Sequence, residues 1–138
     1  MTFSFREFSG RLEEALKRRV KLVGTESRNQ LVARVQSGLD RQGVSFAPYS
    51  SEYRKFKAKS GRQVDPVNLT FRFQMLRALS VQELSGEGQI GFDIIFLSAK
   101  EREKAQNNIN NGRDFFGLTR QESDNVVMKL KEAIGEIL

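Results

Sequence analysis

LSVQELSGEGQIGFDIIF, residues 79–96, is the stretch that decides the fold. Ile90, Phe92, Ile94 and Phe96 alternate strictly with other residues. Period two sends those four side chains to one face of a strand. Leu79 and Val81 alternate less cleanly before it, and Ser85-Gly86-Glu87-Gly88 supplies the turn. The pattern predicts a β-hairpin with one apolar face. An isolated hairpin is marginal in water, so this one needs helices packed on it, more strands, or strands from a neighbour.

Helical periodicity flanks the hairpin on both sides. Phe5, Phe8, Leu12, Leu16, Val20 and Val23 recur every three or four residues, and the phase runs on through Leu31, Val35 and Leu39. Ser4 and Glu7 have capping-box spacing at the start. Gly24-Thr25 is a candidate break, with Ser27 and Gln30 able to cap a second helix, so one long helix or a helix pair both fit. Arg18, Arg19, Lys21, Arg28 and Arg34 are read as the opposite, solvated or partner-facing side. Leu69 to Leu76 reads as a short helical turn.

After the hairpin, Ser98 and Glu101 start a polar helix that fades in an Asn-rich run ending at Gly112. Thr119 and Glu122 then cap an amphipathic helix carrying Val126, Val127, Leu130, Ala133, Ile134 and Ile137. The expected fold is α+β: a small antiparallel sheet built on the hairpin, packed against a long N-terminal helix or helix pair and a C-terminal helix. A length of 138 residues suits one domain spanning 1–138.

Residues 40–68 are different. Gly43, Pro48, Gly61 and Pro66 punctuate a polar stretch with no sustained period, which reads as a long loop. Arg54, Lys55, Lys57, Lys59 and Arg62 fall there with no acid between them, and Tyr49, Tyr53 and Phe56 are interleaved. Lys and Arg neutralise phosphates and aromatic rings stack on bases. The same features suit a segment that orders against a protein partner.

The residue inventory argues against catalysis. There is no Cys and no His, which excludes thiol chemistry and removes the commonest general base and metal ligand. The carboxylate pairs Glu13-Glu14, Glu101/Glu103 and Glu122/Asp124 sit beside Lys or Arg on expected helix surfaces and read as ion-pairing faces. Gly86, Gly88 and Gly91 lie in and after a hairpin turn, not between a strand and a helix as in a phosphate-binding loop. No enzyme, cofactor or metal is expected. The net charge of +6 favours acidic partners, and no apolar run is long enough to span a bilayer, so no membrane partner is expected. The N-terminal stretch has acids early and is not read as a signal peptide, which predicts synthesis in a cytoplasm.

The order of short motifs resembles the bacteriophage virion-morphogenesis, or tail-completion, family. Gly43-Val-Ser-Phe-Ala-Pro-Tyr-Ser50 is followed by the Lys-rich Lys55-Phe-Lys-Ala-Lys-Ser-Gly61. Leu69-Thr70 and Met75-Leu-Arg-Ala-Leu79 precede the hairpin, and Arg113-Asp-Phe-Phe-Gly-Leu118 leads into the last helix. Phe71-Arg-Phe-Gln74 stands where the family usually has Thr-Gly, and the glycine after the short helix lies within the Asn-rich run. The resemblance implies a subunit that forms a ring, commonly a hexamer, at the head–tail neck of a virion. Its partners would be copies of itself, the tail tube protein and the head–tail connector or adaptor, with packaged DNA in the lumen as a further contact. A basic nucleic-acid-binding module is the alternative. Arg54, Lys55, Lys57, Lys59 and Arg62 are the candidate partner or DNA contacts. Tyr49, Tyr53, Phe56, Leu79, Val81, Phe115 and Phe116 are the candidate subunit interface.

Overall fold

The computed structural model describes residues 2–6, 10–61, 74–86 and 89–137. Its centre is the predicted second strand. β3 (Gln89–Phe96) pairs antiparallel with β2 (Leu79–Gly86), with Leu79 opposite Phe96 and Val81 opposite Ile94. Ile90, Phe92, Ile94 and Phe96 are all at most 5% exposed, so the period-two reading of this strand holds. Burying an apolar side chain of this size contributes about 1.5–3 kcal/mol, which makes the strand the anchor of the core.

A third strand was hidden in the expected first helix. β1 (Thr2–Arg6) pairs antiparallel with β3 on its other side, Phe3 opposite Phe92 and Phe5 opposite Ile90, giving the order β1-β3-β2. Ser4 is therefore a strand residue and not a helix cap, while Glu7 and Phe8 lie outside the described residues. Phe3 and Phe5 have period two. Counting onward from Phe5 to Phe8 and Leu12 gives a helical spacing, and that longer run masks the short one.

α1 (Gly10–Gln36) is one unbroken helix laid across one face of the sheet. Leu16, Val20, Val23, Leu31 and Val35 are buried beneath it. Gly24 is no break. A Cβ there would stand 2.8 Å from Val81 Cγ1 and 2.9 Å from Phe92 Cγ. The glycine marks where the helix backbone comes closest to the sheet, and its missing side chain is what permits that approach. The helix ends in a Schellman motif: Leu39 N–H donates to the Arg34 carbonyl at 3.2 Å and Gly38, at φ 85°, donates to Val35 at 2.9 Å.

α5 (Arg120–Ile137) lies antiparallel along α1, fixed by the ion pairs Arg19–Glu136 and Lys129–Glu26. It packs on α1 rather than on the sheet. Val126, Leu130 and Ala133 face inward as predicted, but Val127 is 43% exposed. The Thr119–Glu122 capping box forms reciprocally: Thr119 N–H donates to Glu122 Oε1 at 2.9 Å, and Glu122 N–H donates to Thr119 Oγ1 at 3.1 Å. α3 (Gln74–Arg77) and α4 (Ala99–Asn110) close one end of the sheet. Ser98 caps α4 by accepting from Glu101 N–H, and Asn111 with Gly112 at φ 82° ends it, as the sequence predicts. Phe96 meets Phe115 edge-on and Phe116 at 5.2 Å between ring centroids. Among the described residues, no helix is long and apolar enough to cross a membrane.

Candidate assembly surface

From Asp40 to Gly61, the described part of the stretch read as a loop, the chain is built. Asp40 Oδ1 accepts from Gln42 N–H and Val44 N–H at 2.8 and 2.9 Å, and Asp40 N–H donates to the Val44 carbonyl, folding 40–44 into a tight turn. The chain then runs to Ser50, whose hydroxyl accepts from Tyr53 N–H at 3.3 Å and starts α2 (Ser51–Lys59). Gly61, at φ 69°, follows the helix and donates to the Ala58 carbonyl. Local chemistry thus makes this helix: a serine cap, an acid in the first turn, and lysines in the last turn against the dipole.

α2 stands out from the body. All its residues except Lys57 are exposed. Tyr53 and Phe56 are 38% and 54% exposed, with centroids 6.2 Å apart, and Tyr49 meets Tyr53 edge-on at 4.9 Å. Arg54, Lys55 and Lys59 are exposed around the same turn and a half. Burial, with a smaller contribution from Tyr49, holds the Tyr53 phenol above its ordinary pKa, and Arg113 opposes the shift. The face therefore presents neutral rings and cations together.

Lys57 departs from the sequence expectation. It is fully buried, its Nζ 3.0 Å from Tyr49 Oη and 4.6 Å from the ring centroid. Its charge is spent inside the subunit and does not face a phosphate or an external acid. Arg113 lies over the same ring at 5.3 Å and reaches the Pro48 carbonyl, so Tyr49 roots the helix to the body. Arg62 lies outside the described residues.

The root itself is held by a residue the sequence reading placed on the solvated face. Arg34 is 8% exposed. Its guanidinium donates to the Asp40, Phe115 and Gly117 carbonyls at 2.9, 2.9 and 2.6 Å, and its Nε lies 3.5 Å from Glu122 Oε1. Burial pulls the Arg34 pKa down, and Glu122, Asp40 and Asp114 work against that shift. One side chain ties the end of α1, the turn before α2, the connector 113–118 and the cap of α5. Arg41 adds an ion pair to Asp114 at 2.9 Å beside it. A shallow groove of about 530 Å³ opens here, lined by Arg41, Gln42, Phe116, Gly117, Leu118 and Ser123. Arg28 is also drawn inward, donating to the Leu76 and Leu79 carbonyls at 3.1 Å each.

The remaining expected interface residues divide. Phe115 is wholly buried and Leu79 is 3% exposed, so both serve the core of one subunit. Phe116 is half-buried against that core, and Val81 packs on it from the sheet. Among the described residues, Tyr53 and Phe56 alone stand out from the surface as large rings. Glu101, 8% exposed and 3.0 Å from Lys104, and Glu122 are not solvated carboxylates as expected. Among the described residues, no group of three or more acidic, His or Cys side chains is placed to hold a metal.

Arg34 carried a readable signal. It lies eighteen residues after Leu16, which is five turns at about 3.6 residues per turn, and so falls in the middle of the apolar stripe. Lys57 lies four residues after Tyr53, about one turn further along α2. In both cases residue type outweighed phase in the expectation. No family model, no curated protein and no solved structure matches this chain.

Proposed function

We propose that this chain is a non-enzymatic phage morphogenesis subunit of the tail-completion type. It assembles into a ring at the head–tail neck of a virion, joining the tail tube to the head connector. The observation that carries this reading is the projecting α2, which falls on the Lys-rich segment of the family's motif order. It offers Tyr53 and Phe56 beside Arg54, Lys55 and Lys59. Tyr, Phe and Arg are among the residue types enriched at protein interfaces, and the lysines suit the charged rim of one. A helix held on a buried cation–aromatic root is a stiff element, which limits the ordering cost of docking.

The test is assembly. Size-exclusion chromatography with light scattering should show a closed oligomer, alone or on isolated tail tubes, and electron microscopy should place it at the tube end. Phe56→Ser combined with Lys55→Ala should leave the subunit folded and reduce tube binding at least tenfold. A strict monomer that binds neither tubes nor connectors sinks the proposal. Binding to duplex or single-stranded DNA that falls steeply with salt, without tube binding, would favour the nucleic-acid reading instead.

A further inference from the structure

The sheet has two edges, and the alternation of its ladder says which backbone groups each one leaves over. Leu97 N–H donates to the Ala78 carbonyl at 3.0 Å, so residue 78 is a hydrogen-bonded partner of 97. In an antiparallel pair such positions recur every second residue. The even residues of β2 therefore spend their backbone groups on β3, and Leu79, Val81, Glu83 and Ser85 point theirs outward. Arg28 Nε takes the Leu79 carbonyl at 3.1 Å. Among the described residues, no hydrogen bond reaches the outward groups of Val81, Glu83 and Ser85. The same count through β3 turns the backbone groups of Thr2, Ser4 and Arg6 outward on β1.

Among the described residues, no further strand pairs with either edge. β2 holds no Pro, Lys or Arg, and no residue of β1 is Pro. Natural proteins usually protect such edges or pair them. The open part of β2, Val81–Ser85, matches the five residues of β1. β2 carries one charge, Glu83, which is ion-paired with Lys21 of α1. Pairing β2 with its own copy about the centre of the open stretch would set Glu83 against Glu83, which is unfavourable.

We infer that the β2 edge of one subunit pairs with the β1 edge of the next, so that the sheet continues head to tail through the assembly. Both strands run antiparallel to β3, hence parallel to each other, and the junction is a parallel ladder. Such a contact is heterologous, using different surfaces on each subunit, as a closed ring requires. It gives a backbone-driven contact between copies, leaving the side chains of α2 for other virion proteins. The inference rests on the assembly reading above.

The native chain has no cysteine, so engineered pairs report without background. Gln82 lies on the sheet face away from α1, and Ser4 occupies the matching face of β1, opposite Gly91. Under mild oxidation the double variant Ser4→Cys, Gln82→Cys should give a ladder of covalent multimers, and each single variant should give none. A covalent dimer from Gln82→Cys alone would mean β2–β2 pairing and overturn the inference. Glu83→Pro removes an outward N–H and an exposed ion pair to Lys21, so its melting temperature should stay near wild type while the concentration needed for assembly rises at least tenfold. Should that variant unfold, the cysteine ladder still decides. Rings that form as before with Glu83→Pro, and no ladder from the double variant, would refute edge pairing and leave the assembly reading standing. A wild-type chain that never associates would remove both.

Discussion

The end of α1 and the face of α2 are both rich in cations, and they use them in opposite ways. At Arg34 a guanidinium is turned inward, donating through its two terminal nitrogens to three carbonyls and ion-paired at Nε with Glu122. On α2, Arg54, Lys55 and Lys59 are turned outward, while Lys57 between them is buried. The net charge of +6 therefore overstates the basic surface, because part of it is internal structure. What separates the two regions is the supply of acceptors. The connector 113–118 and the turn at Asp40 have carbonyls that no helix or strand satisfies, and a planar five-donor fork can serve several at once. α2 satisfies its own backbone and leaves Lys55 and Lys59 to the outside.

The comparison breaks most visibly at Arg34. Arg34→Ala should destabilise by about 3–5 kcal/mol, since it strands buried carbonyls and the Glu122 carboxylate. Arg34→Lys should recover only part of this, because an ammonium cannot span three acceptors in one plane. Chemical denaturation followed by circular dichroism measures both. A loss below about 1 kcal/mol for Arg34→Ala would mean that the knot is ornamental to stability.

Gly24 tests whether α1 is positioned by the sheet or by its own propensity. Gly24→Ala favours the helix by about 0.8–1 kcal/mol. The new Cβ, however, would press on Val81 and Phe92 inside 3 Å. Overpacking of this kind typically costs about 1–3 kcal/mol. The net expectation is a loss of about 0–2 kcal/mol, read from the same denaturation curves. A stabilised variant would show that the helix can lift from the sheet at no cost.

These two residues also show how far the sequence could be read. The hairpin, the C-terminal helix and its capping box were legible because each repeats one period over many residues. β1 was not, because five residues of alternation ran into a longer helical spacing. Gly24 was ambiguous because close approach and helix breaking leave the same mark, a glycine, and only the opposing strand distinguishes them. The knot was missed because identity was weighed above phase at Arg34. α2 was missed because a nine-residue helix with one buried face position carries too little periodicity to register. The candidate surface was half legible: its aromatics and lysines were named, and which of them face out depends on packing that no spacing encodes.

The smallest effects sharpen the comparison within α2 itself. Lys57 and Lys55 are two residues apart on one helix, one fully buried and one exposed. Lys57→Met keeps the length and apolar stem of the side chain but removes the donor to Tyr49, and should cost about 1 kcal/mol. Lys55→Met and Lys59→Met should each change stability by less than about 0.5 kcal/mol. Partner binding should respond in the reverse order: a clear loss for Lys55→Met with Lys59→Met, and for Lys57→Met only what a loosened helix root transmits. Measuring both properties on one set of variants separates the lysine that builds the surface from those that form it. Equal stability losses at the three positions would mean that α2 has no inward and outward side, and with that the stiff, projecting helix on which the proposed docking depends would be lost.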